Sequence, residues 1–90
     1  MYDEDTRTLY IDNKRIDLTE SEGRLFSIVL ENKFKPISYK YLLKKLYNED
    51  EYTNKTRSKV EQLINRLKKK IEKYYDFKKI RNLGVILIWK

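Results

Sequence analysis

The fold is decided by the stretch VEQLINRLKKKIEKY, residues 60–74. Its apolar side chains recur every three or four residues, which is the period of one face of an α-helix. They are Val60, Leu63, Ile64, Leu67, Ile71 and Tyr74. The arc opposite this stripe carries Ser58, Gln62, Asn65, Arg66, Lys69 and Lys73, with Glu61 and Glu72 displaced to one flank. The stretch therefore predicts a helix with one buried face and a basic, amide-rich outer face.

Two shorter helices are predicted before it. Thr19 and Glu22 have the spacing of a capping box, in which each side chain accepts from the backbone amide of the other residue. The buried face of this first helix comprises Leu25, Phe26, Ile28, Val29 and Leu30. Pro36 prevents its continuation, and Ser38 caps a second helix that ends near Tyr47. The second helix buries Leu42, Leu43 and Leu46.

Short strands flank the helices on both sides. Thr8 to Ile11 and Arg15 to Leu18 place apolar residues at alternate positions, which predicts a β-hairpin. Lys78 to Arg81 and Val85 to Trp89 predict a second pair of strands. They surround Asn82-Leu83-Gly84, where Asn and Gly can adopt the positive φ that a tight turn needs.

The chain of 90 residues therefore predicts one α+β domain spanning residues 1–90, with an N-terminal β-hairpin, three helices and a C-terminal β-hairpin. One Pro and two Gly leave no linker that would divide it. The polar residues from Asn48 to Thr56 follow no period and predict a loop between the second and third helices.

The composition excludes most catalytic chemistry. Without Cys or His there is no thiolate nucleophile, no imidazole base and no ordinary transition-metal site. The acidic run Glu49 to Glu51 is consecutive, whereas a calcium loop needs alternating ligands, so it is either a solvated loop or a partner contact. We predict no catalytic residue, no metal, no cofactor and no enzyme activity. The apolar run Leu83 to Trp89 is too short to span a membrane, and we expect a soluble, cytoplasmic protein.

The net charge of +7 is unevenly distributed. Residues 1–31 carry eight acids and four bases, whereas residues 32–90 carry seventeen bases and six acids. A base-rich segment favours a polyanionic partner, although lysines also solubilise small domains.

The third helix carries side chains suited to reading double-stranded DNA. A helix fits the major groove, where Arg or Lys donates to guanine and Asn or Gln pairs with adenine. Such residues are Gln62, Asn65, Arg66 and Lys69, with Lys73 on the same face. Phosphate contacts near the helix start are expected from Lys55, Arg57, Ser58 and Lys59. Lys78, Lys79 and Arg81 suit a basic wing on a flanking minor groove or the backbone. A solvated helix face and hairpin remain the alternative.

Four blocks occur in order along the chain. They are Leu18-Thr19 with Glu22 and Leu25-Phe26; Asn32, Ile37-Ser38, Leu42-Leu43 and Tyr47; Val60, Ile64 and Leu67 to Ile71; and Ile80-Arg81-Asn82-Leu83-Gly84. Together they resemble the C-terminal effector domain of OmpR/PhoB-type response regulators, a winged helix-turn-helix found in two-component systems. Leu63 stands where many members carry a phosphate-contacting His, Asn82 replaces a wing Gly, and Val85 replaces a common Tyr.

The resemblance implies sequence-specific binding of double-stranded DNA by a transcriptional regulator, with the third helix in the major groove and the wing in the adjacent minor groove. The contacts it implies are Ser58, Lys59, Gln62, Asn65, Arg66 and Lys68, with Lys79 and Arg81 in the wing. It also implies that the loop Asn48 to Thr56 can contact RNA polymerase. A phosphoacceptor domain would need about 100 further residues ahead of Met1. The chain is therefore expected to be an excised effector domain or a stand-alone regulator.

A second hypothesis is a winged-helix protein-interaction or dimerisation module without specific DNA binding. Val85 to Trp89 are consecutive apolar residues, so burying one face of the strand exposes the other to a homodimer or another protein. The alternative is that both faces are covered within the fold. The eight tyrosines also suggest base stacking on single strands, but Tyr41, Tyr47 and Tyr74 fall at or near buried helix positions.

Overall fold

Three helices stand between two antiparallel sheets along the chain. The computed structural model describes residues 1–32, 34–81 and 83–89. Of Trp89, it describes the backbone but not the side chain. The elements are β1 (Tyr2–Asp3), β2 (Thr8–Ile11), β3 (Lys14–Asp17), α1 (Glu20–Glu31), α2 (Tyr39–Tyr47), α3 (Asn54–Ile71), β4 (Tyr75–Ile80) and β5 (Gly84–Trp89). This order of hairpin, three helices and hairpin confirms the predicted α+β winged-helix fold.

The N-terminal sheet has the strand order β1-β2-β3. In its hairpin Leu9 pairs with Ile16. Asp12 and Asn13 both have positive φ, 49° and 63°, as a two-residue type I′ turn requires. The second strand therefore begins at Lys14 rather than at Arg15. The strand β1 was not predicted, because two residues are too short to show an alternating pattern.

The predicted caps of α1 and α2 are confirmed. Thr19 Oγ1 accepts from the Glu22 amide at 3.2 Å, and Glu22 Oε1 accepts from the Thr19 amide at 2.9 Å. Ser38 Oγ accepts from the Tyr41 amide at 3.1 Å. Helix α2 ends at Tyr47, and the C-cap residue Asn48 that follows has a left-handed φ of 54°. These local hydrogen bonds set where both helices begin.

Helix α3 begins earlier than its apolar stripe indicates. Thr53 Oγ1 accepts from the Thr56 amide at 3.2 Å, and Thr56 Oγ1 accepts from the Thr53 amide at 2.8 Å. The helix therefore starts at Asn54, and the prediction that the loop extends to Thr56 is wrong. Threonine here takes the place of the Glu or Gln by which a capping box is usually identified.

Helix α3 also ends earlier than predicted, at Ile71. The Tyr74 amide donates to the Ile71 carbonyl at 2.9 Å in the turn that follows. The prediction that the helix includes Lys73 and Tyr74 is therefore wrong, although Tyr74 still packs half-buried against the core and Lys73 is exposed. Strand β4 begins at Tyr75, ahead of the predicted start at Lys78.

The C-terminal hairpin is joined to the loop before α2. The Ile37 amide donates to the Val85 carbonyl at 2.8 Å, and the Val85 amide donates to the Ile37 carbonyl at 2.9 Å. Gly84 has φ 141°, and a Cβ there would lie 2.0 Å from the Ile37 carbonyl oxygen. Only glycine fits this close approach. The expected positive φ at Asn82 lies outside the described residues.

The core lies where the three helices meet, with both sheets packed against it. Its fully buried side chains include Leu25, Phe26, Leu42, Leu43, Val60, Leu63, Leu67 and Ile71. The helical periodicity therefore identified the core correctly, except that Leu30 is only half-buried.

A buried acid connects the end of α3 to the start of α1. Glu22 is 3% exposed, and Lys70 Nζ donates to its Oε1 at 2.6 Å and to the Asp17 carbonyl at 3.1 Å. Burial alone would raise the pKa of Glu22, but hydrogen bonds from Lys70 and the Thr19 amide outweigh it and lower that pKa. Lys70 is thus a structural residue within the lysine run of α3.

Candidate nucleic-acid interface

The outer face of α3 is polar and exposed. The four side chains predicted to contact bases are all exposed: Gln62, Asn65, Arg66 and Lys69. Their buried counterparts on the same helix, such as Leu63 and Leu67, pack into the core. None of the four polar side chains has a hydrogen bond or ion pair within the described residues, so their donors and acceptors are available to a ligand. This arrangement suits a surface that reads base edges.

The first turns of α3 contain four predicted phosphate contacts, which differ in their surroundings. Lys55 is exposed. Ser58 Oγ donates to the Asn54 carbonyl at 3.0 Å. Lys59 Nζ lies 3.9 Å from Glu49 Oε1 and 5.7 Å from the centre of the Tyr47 ring. Lys59 is therefore turned toward α2 and the following loop.

The fourth of these residues, Arg57, belongs to a network that joins α3 to β4. Its Nε donates to Glu61 Oε1 at 3.0 Å, and its guanidinium carbon lies 5.4 Å from the centre of the Tyr39 ring. Lys79 Nζ lies 3.6 Å from the same Glu61 oxygen. Two predicted contacts from different elements are thus held beside one carboxylate, which no spacing rule within a single helix would reveal.

A notch of about 540 Å³ opens between the start of α2, the first turns of α3 and the turn of the C-terminal hairpin. Four cationic residues and two aromatic rings contribute to its wall: Lys40, Arg57, Lys79, Arg81, Tyr39 and Tyr52. This concentration of cations on one side of the molecule is suited to a polyanion.

The remaining predicted site residues are spread around this face. Lys68 is half-buried and borders a cavity of about 80 Å³ with Glu61 and Lys79, on the side of α3 next to β4. Arg81 is exposed at the hairpin turn, and Lys73 is exposed in the turn after α3. The structure thus brings Lys68, Lys79 and Arg81 close to one edge of α3 and leaves Lys73 beyond the end of that helix.

Within residues 1–32, 34–81 and 83–89, no helix combines the length and the apolar content needed to cross a membrane. In the same part of the chain, no group of three or more acidic side chains is placed to hold a metal ion.

The comparison with known proteins agrees with a nucleic-acid-binding role for this surface. A family model described as "Transcriptional regulatory protein, C terminal" matches residues 13–85. The chain belongs to this family. The resemblance to OmpR/PhoB-type response regulators is confirmed, and the family is one of transcriptional regulators rather than enzymes. A search of curated protein sequences finds no match.

Several solved structures of response regulator domains share the fold. The DNA-binding domain of Bacillus subtilis CssR has a TM-score of 0.79 and 26% identity, with 98% of each chain covered. The AdeR DNA binding domain, solved in complex with an intercistronic region, has a TM-score of 0.78 and 22% identity over 100% of this chain and 94% of that one. The C-terminal domain of the nisin resistance regulator NsrR has a TM-score of 0.69 and 26% identity, over 89% of this chain and 82% of that one.

Membership of the OmpR/PhoB-type family gives the elements their usual names. Helices α2 and α3 are the helix-turn-helix, with α3 in the position of the recognition helix, and β4 and β5 form the wing. The carboxylate of Glu61 therefore lies on the side of the recognition helix that faces the wing. Helix and wing are the two elements by which this fold approaches a duplex.

Proposed function

We propose that residues 1–90 form the DNA-binding domain of a cytoplasmic transcriptional regulator, which binds double-stranded DNA sequence-specifically. In this proposal α3 enters the major groove and the wing reaches the adjacent minor groove. The observation that carries it is the row of exposed amide and cationic side chains on α3 beside a basic wing. The AdeR domain, which has the same fold, was solved with an intercistronic region bound.

The proposed contacts divide into two classes. Base contacts come from the free outer face of α3, namely Gln62, Asn65, Arg66 and Lys69. Backbone contacts come from Lys55, Arg57, Ser58, Lys59, Lys68, Lys73 and Lys79, while Arg81 enters the minor groove. Base contacts give sequence preference, whereas phosphate contacts give affinity and register.

The test is a fluorescence-anisotropy titration with pooled random duplexes and matched single strands, followed by selection of the bound duplexes. If about six to eight cations meet phosphates, log K should fall with log salt at a slope of roughly −5 to −7. Duplex preference, this salt dependence and an enriched motif would support the proposal. A flat salt dependence, or no duplex binding at low salt, would contradict it.

We also propose a contact between two copies of the domain through the outer face of β5. An apolar depression of about 480 Å³ is lined by Phe34, Tyr75 and Ile86 to Ile88, and Ile88 is 38% exposed. The side chain of Trp89 lies outside the described residues. Sedimentation velocity over a range of concentrations tests the contact. A dimer that Ile88→Lys abolishes supports it, and a strict monomer at high concentration excludes it.

The loop between α2 and α3 is proposed as a contact for RNA polymerase. Asp50, Glu51 and Tyr52 are exposed there, although Asp50 is paired with Lys44 at 3.0 Å. Glu51→Lys reverses one exposed charge and leaves in place the Glu51 carbonyl, which accepts from the cap residue Thr56 at 3.0 Å. Reduced transcription at unchanged DNA affinity would support the contact, and unchanged transcription would argue against it.

A further inference from the structure

Two cationic side chains that line the notch beside the wing are paired with a carboxylate, and the reading of bases does not require this pairing. Arg57 and Lys79 face the notch from α3 and β4, and both are held by the carboxylate of Glu61 at 3.0 and 3.6 Å. Lys40 and Arg81 approach the same notch from α2 and the wing turn. The Glu61 carboxylate thus pairs with two of the four cationic residues that line the notch.

Tyr39 lines the notch and has a buried hydroxyl that is left without a partner among the described residues. Tyr39 is 9% exposed, and its hydroxyl has no hydrogen-bond partner within the described residues. Burial and, next, the charge of Glu61 raise the pKa of Tyr39, so the hydroxyl stays protonated at neutral pH and can donate. Buried polar groups normally have partners, so an unpaired donor in this wall indicates a missing acceptor.

We propose that this notch binds one phosphodiester of the DNA backbone, and that Glu61 holds the phosphate-binding cations in the free protein. The inference rests on the proposed DNA binding and adds a subsite to it. The backbone that separates a major groove from the adjacent minor groove must pass between α3 and the wing, and the notch lies there. A phosphate at that point accepts from Arg57 and Lys79, and the Tyr39 hydroxyl, which is buried in the free protein, becomes a further donor when these cations leave Glu61.

Glu61 then acts as a competitor of the phosphate. Its side chain is 32% exposed, and ion pairs at partly exposed positions are weak enough to exchange for a phosphate. Because the competition involves no base, it reduces the affinity for every duplex equally. Glu61 therefore affects how tightly the domain binds DNA of any sequence, while the outer face of α3 determines which sequence is preferred.

The test compares Glu61→Gln with Glu4→Gln, which removes the same charge from an exposed residue in the N-terminal sheet region. Anisotropy titrations use the selected duplex and an unrelated duplex at two salt concentrations. Glu61→Gln is expected to bind both duplexes about three- to tenfold more tightly, or about 0.6 to 1.4 kcal/mol. Glu4→Gln should change affinity by less than about twofold, because salt screens a charge outside the interface.

A second measurement locates the phosphate. Each phosphate of the selected duplex is replaced in turn by an uncharged methylphosphonate. One replacement is expected to weaken binding of the unsubstituted protein, and to weaken binding by Lys79→Ala less, because only Arg57 is then left to pair with that phosphate. That position should lie between the major-groove site of α3 and the minor-groove site of the wing.

Each outcome has a definite meaning. If Glu61→Gln binds no more tightly than Glu4→Gln, the competition between Glu61 and phosphate is refuted. A changed base preference in Glu61→Gln would instead identify Glu61 as a base contact and overturn the inference. In both cases binding of the selected duplex by the unsubstituted protein would leave the proposed function intact. If that protein binds no duplex at low salt, the proposed function and the notch fail together.

Discussion

Replacing Lys70 by Met tests whether the lysine run of α3 has a structural member. Met keeps an unbranched apolar side chain and a high helix propensity, so the change mainly removes the charge. Without Lys70, the buried carboxylate of Glu22 loses its ion pair and keeps its interactions with Thr19, whose amide donates to it at 2.9 Å. Lys69→Met is the matched control, because the neighbouring Lys69 is exposed and has no ion pair within the described residues.

The size of the effect follows from the burial of the two partners. The side chain of Glu22 is 4% exposed and that of Lys70 is 36% exposed. An exposed pair contributes up to about 1 kcal/mol, whereas breaking a fully buried pair costs about 3 to 5 kcal/mol. This pair is intermediate, so we expect Lys70→Met to lower the free energy of unfolding by about 2 to 3 kcal/mol. For a domain of this size, that lowers Tm by roughly 10 to 20 °C.

Thermal and urea unfolding followed by circular dichroism measure this difference. Lys69→Met should stay within about 0.5 kcal/mol of the unsubstituted protein, as surface substitutions usually do. DNA affinity should respond in the opposite order, with Lys69→Met weakened and folded Lys70→Met unchanged. Equal stability of the two variants would refute the structural role of Lys70.

Three further predictions concern pH, base reading and the wing. Because the pKa of Glu22 is lowered on folding, its stabilisation is complete above the unfolded value of about 4.3 and is lost as pH falls through the folded value. The stability gap between Lys70→Met and the unsubstituted protein should therefore narrow below about pH 4 in urea titrations; a constant gap would contradict this. Arg66→Ala should weaken binding of the selected duplex by about 1 to 3 kcal/mol and relax one base preference in a repeated selection, whereas uniform weakening would identify a phosphate contact. Gly84→Ala should lower the free energy of unfolding by more than about 1 kcal/mol because its Cβ meets the Ile37 carbonyl, and unchanged urea unfolding would count against that clash.

Features that depend on neighbours along the chain could be predicted from the sequence. The reciprocal cap of Thr19 and Glu22 and the apolar stripe of α3 are set within a few residues, and both are confirmed apart from the end of the stripe. The cap at Thr53 was not predicted, because its partner at the third helical position is a threonine, which is uncommon there. Pairing of Ile37 with Val85 could not be predicted, because it depends on how the wing packs against the loop before α2.

The same limit applies to the candidate site. A helical projection places Gln62 and Lys69 correctly on the outer face, because only the geometry of α3 is involved. It also places Glu61 on a flank, but it cannot say which element lies opposite that flank. The contact with Lys79 depends on the packing of β4 against α3, which no pattern within either segment contains.

Consecutive lysines in α3 illustrate why charge counts alone overstate an interface. Successive residues of a helix are rotated by about 100°, so Lys68, Lys69 and Lys70 point in three directions. Lys68 borders the wing, Lys69 lies exposed on the outer face with no ion pair to any described residue, and Lys70 binds the buried Glu22. One of the three is thus already paired within the fold and releases no counterion from DNA. The salt dependence of binding should therefore reflect the cations left free by the fold rather than the total number in the segment.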